Sequence, residues 1–173
     1  MGQFSSIRIH AGASLIYRPT TLITLENKIQ EMVPRDVTLG SGTGSLKCDV
    51  MYYNSFTLGA SATQQVDLLG SLTDAFNLAI SFVKVKFLRV EADSANNAAN
   101  DVLVKPHSAN GWLTGPLRTA THQVQLAAGE NFQWEGLTSG RAPVAGTGDI
   151  LALVNSAGTN SIVARLLLLG TSA

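Results

Sequence analysis

The residues that could do chemistry in this chain are few and widely spaced. His10, His107 and His122 are the three histidines, and none sits in an HxxxH or HExxH spacing that would put two imidazoles on one helix face for a metal. Each is expected at the surface or in a local hydrogen bond. Cys48 is the single cysteine, which excludes an internal disulfide and a cysteine-built zinc site. Asp67 and Asp74 flank a turn. As a pair they would suit general acid–base work, but aspartate beside a turn more often caps it. Asp93 and Asp101 bracket an asparagine-rich loop with some attraction for calcium, yet the EF-hand spacing and its glycine are absent. No GxSxG elbow occurs. LGSGTGS, residues 39–45, has the glycines of a phosphate loop without the Gly-Lys-Ser/Thr ending or a following helix, so it reads as a joint. Trp112 and Trp134 could stack on sugars or fill a core. Lys84, Lys86 and Arg89 would meet an acidic partner or solvent. The expectation is a non-enzymatic protein with no cofactor and no metal. Its candidate interface residues are Lys84, Lys86, Arg89, Trp112 and Trp134.

These residues are carried by strands. Residues 80–92, ISFVKVKFLRVEA, are the clearest signal: Val83, Val85 and Phe87 alternate with Lys84 and Lys86. The phase then slips, because Phe87 and Leu88 are both apolar and Leu88 and Val90 alternate with Arg89 and Glu91. A one-residue slip exchanges the two faces, so a bulge or a change of partner is expected near Phe87 and Leu88, with Val83, Val85 and Phe87 buried. Val124 and Leu126, the turn AAGEN, then Phe132 and Trp134 read as a hairpin. Residues 149–155, DILALVN, are apolar on both faces and so belong in the middle of a sheet. Residues 161–169, SIVARLLLL, read as a strand that hairpins back onto them. Ile7 and Ile9 alternate with Arg8 and His10 as a short strand. Leu22, Leu25, Ile29, Met32 and Val33 predict a short helix over residues 22–33, with a strand as the alternative since Ile23 and Leu25 also alternate.

Composition bounds the rest. The chain has 173 residues, 45% of them apolar, with 12 basic and 12 acidic side chains and only 14% charged residues. Phosphate binding needs a cationic excess, so a nucleic-acid partner is not expected. Low charge suits a protein that buries surface against other subunits. No apolar run reaches the length of about 18 residues that a membrane span needs, and residues 1–12 lack the basic start and apolar run of a signal peptide. The organisation expected is an N-terminal arm and Gly/Ser-rich linker over 1–45, then an all-β, jelly-roll-like β-sandwich over 46–173, built from some eight strands.

From about Leu46 onward the sequence resembles a group of tailed-bacteriophage virion proteins. The resemblance rests on DVMYYNSFTLGASATQQVDL (49–68), LTDAFNLAISFVKVKFLRVEA (72–92), VQLAAGENFQW (124–134) and AGTGDILALVNSAGTNSIVARLLLLGTS (145–172). Where that group often has Gly after LTDAF, this chain has Asn77, which also tolerates positive φ. The resemblance implies a structural subunit of jelly-roll type. It would be a capsid decoration or cement protein that stabilises the head through multivalent contacts with the major capsid protein or other virion subunits. A homotrimer located on the virion, assembled in the host cytoplasm, is the expected form. The alternatives are a tail or fibre-base adaptor and, in another class, a carbohydrate-binding module using Trp112 or Trp134.

Overall fold

Alternating apolar residues bury one face of a strand, and two such sheets close a core between them. The computed structural model describes residues 7–11, 16–17, 27–28, 35–70, 72–74 and 77–172, and every regular element among them is a strand. The chain divides into two compact units, Met1–Ser41 and Gly42–Ala173.

In the first unit, β1 (Ile7–Ala11) runs antiparallel to β4 (Arg35–Ser41), from Ile7 opposite Leu39 to Ala11 opposite Arg35. The short β2 (Ile16–Tyr17) pairs with β3 (Asn27–Lys28). Most of the helix expected over 22–33 lies outside the described residues. Its Asn27 and Lys28 are in a strand. The joint expected over 39–45 begins later, because β4 continues through Ser41.

The second unit contains β5 (Lys47–Cys48), β6 (Val50–Leu58), β7 (Thr63–Asp67), β8 (Leu72–Thr73), β9 (Ala79–Ile80), β10 (Lys84–Ala92), β11 (Val102–Pro106), β12 (Val124–Leu126), β13 (Asn131–Glu135), β14 (Ile150–Asn155) and β15 (Ile162–Thr171). Eight of them form two four-stranded antiparallel sheets, ordered β13-β10-β15-β6 and β12-β11-β14-β7. The consecutive pairs β6–β7, β10–β11, β12–β13 and β14–β15 each step from one sheet to the other. That connectivity is a jelly roll, a sandwich in which sequence neighbours face each other and hydrogen-bonded neighbours come from far along the chain.

Two expected hairpins are therefore not hairpins. β12 pairs with β11 while β13 pairs with β10. β14 pairs with β11 and β7, whereas β15 pairs with β10 and β6. The turns after Leu126 and Asn155 bridge the space of about 10 Å between sheets, not the roughly 4.8 Å between strands. The local pattern records that the chain reverses; it carries no information on which sheet receives it. The central position of β14 and the strand state of the LLLL segment are as expected.

One core fills the sandwich. Leu88, Val90, Ile162, Ala164, Leu166 and Leu168 from the first sheet meet Val66, Val102, Val104, Leu126, Leu151 and Leu153 from the second. Each buried Leu, Val or Ile removes enough apolar surface from water to contribute about 1.5–3 kcal/mol before chain entropy is counted.

The phase slip in β10 is a bulge, one residue earlier than expected. Val85 lies opposite Gly170 and Phe87 opposite Leu169, leaving Lys86 as the extra residue. Val85 and Phe87 are buried, but Val83, at 40% exposure, precedes the strand and is not. Ile80 belongs to the separate pair β8–β9, and Asn77 in the turn between those strands has a φ of 60°.

Candidate functional site

Beyond the bulge, the outward-facing residues of β10 are Arg89 and Glu91, since Leu88, Val90 and Ala92 point into the core. The pairing registers lay them out in rows across the sheet. Gln133, Arg89, Leu167 and Tyr53 form one row, and Asn131, Glu91, Arg165 and Ser55 the next. Tyr53, Arg89, Glu91, Arg165 and Leu167 line an open depression of about 430 Å³.

Its electrostatics are balanced. Arg165 Nη1 donates to Glu91 Oε1 at 3.1 Å, Arg165 Nη2 pairs with the Asp93 carboxylate, and Arg89 Nη2 donates to Glu91 Oε2 at 3.2 Å. A hydrogen bond from the Ala95 amide, together with Arg165, holds the Asp93 carboxyl below its ordinary range. Asp93 in turn raises the Arg165 guanidinium above its own. Tyr53 is the most exposed large side chain of the face, at 61%. Such a surface offers charge-paired docking with an aromatic contact. Its ion pairs are solvent-accessible and individually weak, so they favour orientation over affinity.

The five candidate interface residues do not converge. Lys84 is exposed, and Arg89 belongs to the face just described. Lys86 is only 1% exposed, which corrects its assignment to an interface. The bulge turns it inward, where Nζ donates to the carbonyls of Gly44, Lys47 and Thr43. Burial pushes its ammonium pKa down. Trp112, at 2% exposure, is likewise a core residue and not an interface one. Trp134 packs partly buried against the core with its ring edge-on to Trp112, centroids 6.2 Å apart at 84°. Trp112, so buried, presents no open face to a stacked sugar.

The carboxylates of the other candidate pairs are engaged by backbone amides or by side chains. Asp67 accepts from the Leu69 amide at 3.0 Å and Asp74 from the Leu78 amide at 2.9 Å. Asp101 accepts from the Gln125 side chain while Asp93 holds Arg165, so the two do not share a ligand position. His107 Nδ1 lies 2.7 Å from the Ala109 carbonyl in its own turn. Among the described residues no three His, Cys, Asp or Glu side chains gather as a metal site, and no helix is long and apolar enough to cross a membrane. The Glu91–Arg165–Asp93 network was missed from sequence, although Arg165 is the lone charge in an apolar run and so marks an outward position needing partners.

No protein-family model and no curated protein matches the sequence. Among solved structures, that of FLHE aligns with a TM-score of 0.34 and 11% identity, over 69% of this chain and 94% of that one. At that similarity neither a fold nor a function transfers.

Proposed function

We propose that this protein is a non-enzymatic structural subunit of a tailed-phage virion. In this reading it decorates the capsid and reinforces it through many symmetry-repeated contacts with the major capsid protein. The observation that carries the reading is where the four phage-like stretches fall. They supply all the sandwich strands except β11, together with the turns that carry β6 to β7, β12 to β13 and β14 to β15 from one sheet to the other, so the resemblance follows the scaffold itself. The site chemistry agrees: the two carboxylates considered for catalysis, Asp67 and Asp74, each accept from a backbone amide, and the exposed sheet face is charge-balanced and suits docking. Modest contacts repeated over a shell add up through multivalency.

The test is binding to purified phage heads that lack the protein. Co-sedimentation should saturate at a fixed copy number, and decorated heads should withstand higher temperature. Binding to tails alone would favour the adaptor reading instead. The carbohydrate-binding reading has lost Trp112 as a platform; a glycan array with no signal for the parent protein would close it.

A further inference from the structure

The sandwich has four edge strands, and three are short or charged. β12 has three residues, β7 has five and ends in Asp67, and β13 has five and ends in Glu135. β6 differs. Its nine residues, VMYYNSFTL, contain no charge, no proline and no glycine. It pairs with β15 along its whole length, from Val50 opposite Gly170 to Leu58 opposite Ile162, and with no other strand among the described residues. Tyr53, Asn54 and Ser55 are exposed in succession, so among the described residues none covers the middle of the strand on either face. The Ser55 amide is satisfied locally by Asn54 Oδ1 at 2.8 Å. Proteins keep long edges from pairing with lysine, proline, bulges or shortness, and β6 uses none of these.

We propose that β6 is an assembly edge that pairs antiparallel with β6 of a second copy, about a twofold axis through Asn54. A twofold axis through Asn54 sets Asn54 beside its own copy and brings the residues on either side of it close to theirs, so a charge at the middle of the strand would repel its copy; this strand carries none. Centring on Asn54 uses all nine residues, with Val50 opposite Leu58, Met51 opposite Thr57, Tyr52 opposite Phe56 and Tyr53 opposite Ser55. The pairing keeps core-facing residues with core-facing ones. It sets Tyr52 against Phe56, an aromatic cross-strand pair. The two sheets then run on as one eight-stranded sheet, and the depressions beside Tyr53 lie on the same face either side of the axis. This edge builds a dimer, in place of the trimer expected from sequence. The pairing does not depend on where on a virion the protein sits.

Analytical ultracentrifugation of the full chain tests it. The parent protein is expected to be dimeric at tens of micromolar, and Ser55→Lys to weaken the dimer at least tenfold. Mixing Ser55→Lys with Ser55→Asp should restore it, a result that misfolding of either variant would not give. In a second arm, Asn54→Cys should form a disulfide-linked dimer under mild oxidation, because two cysteines facing each other in a non-hydrogen-bonded pair meet disulfide geometry. A parent that is monomeric at that concentration, or a dimer unchanged by Ser55→Lys, overturns the proposal. So would capture of β6 by residues 1–41 of a neighbouring copy, detected as cross-linking of Asn54→Cys only to a cysteine placed there.

Discussion

Lys86 shows how one side chain can hold a segment in place. Its ammonium enters the fold at the bulge and gathers three carbonyls of the turn over residues 43–47. Replacing it by Met keeps the volume and removes the donors. Lys86→Met should cost about 1–3 kcal/mol, since lost hydrogen bonds to a charged group have that worth. The melting temperature should drop by about 3–10 °C, and amides of residues 42–47 should exchange faster by mass spectrometry. Asp93 gives a pH-dependent case. Its folded pKa lies below the ordinary value of 3.8, so it adds stability above that pH and loses it as pH falls through the folded pKa. Asp93→Asn should therefore flatten the decline in stability below about pH 4. Urea titrations at pH 2.5, 3.5 and 5 would show it, and an unchanged slope would count against the lowered Asp93 pKa that the Ala95 amide and Arg165 produce together.

At the scale of elements, the bulge in β10 depends on its neighbour as much as on itself. Gly170 lies opposite Val85, and a Cβ there would come within 2.1 Å of the Lys84 carbonyl oxygen and 2.6 Å of the Phe82 ring. The strands approach so closely that only glycine fits. Gly170→Ala should cost about 3 kcal/mol or more, because backbone must move to relieve the clash. Denaturant unfolding measures it, and a loss under about 1 kcal/mol would show that the ladder adjusts more readily than its packing implies. The bulge was legible in the sequence as the slip at Phe87 and Leu88. Its centre at Lys86 was not, because a lysine amid apolar residues reads as solvent-facing until a ring of carbonyls is found to receive it.

For the molecule as a whole, the second unit is joined by more than its apolar core. Asn155, 1% exposed, ends β14. Its Nδ2 donates to the carbonyls of Gly59 at 3.0 Å, Asn160 at 2.9 Å and Leu58 at 3.3 Å, while Oδ1 accepts from Asn100 and the Ala157 amide. One side chain thus ties the end of β6 to the turn that carries β14 across to β15. Asn155→Ala should cost about 2–4 kcal/mol by leaving buried partners unsatisfied. It should leave unfolding of residues 42–173 a single transition, because both sheets share one core. A second transition in calorimetry assigned to that unit would mean the sheets melt separately.

The sequence by itself determined what depends on near neighbours. Period-two alternation, apolar runs and turn residues identified β10, β14 and β15 as strands, a slip in β10, and a two-sheet jelly roll. Those signals arise within a few residues, where side-chain alternation and backbone preference act. Only the tertiary structure decided which strands pair. Whether the turns after Leu126 and Asn155 lead back to the same sheet or across to the other depends on contacts with β10, β11, β6 and β7, all distant in the chain. The same long-range contacts buried Lys86 and Trp112, joined Arg165 to Glu91 and Asp93, and left β6 at an edge. Lys84, Lys86, Arg89, Trp112 and Trp134 share chemistry that suits an interface. Exposure, though, is a property of the assembled sheets, and it selected Arg89 and Lys84 from that set and added Tyr53.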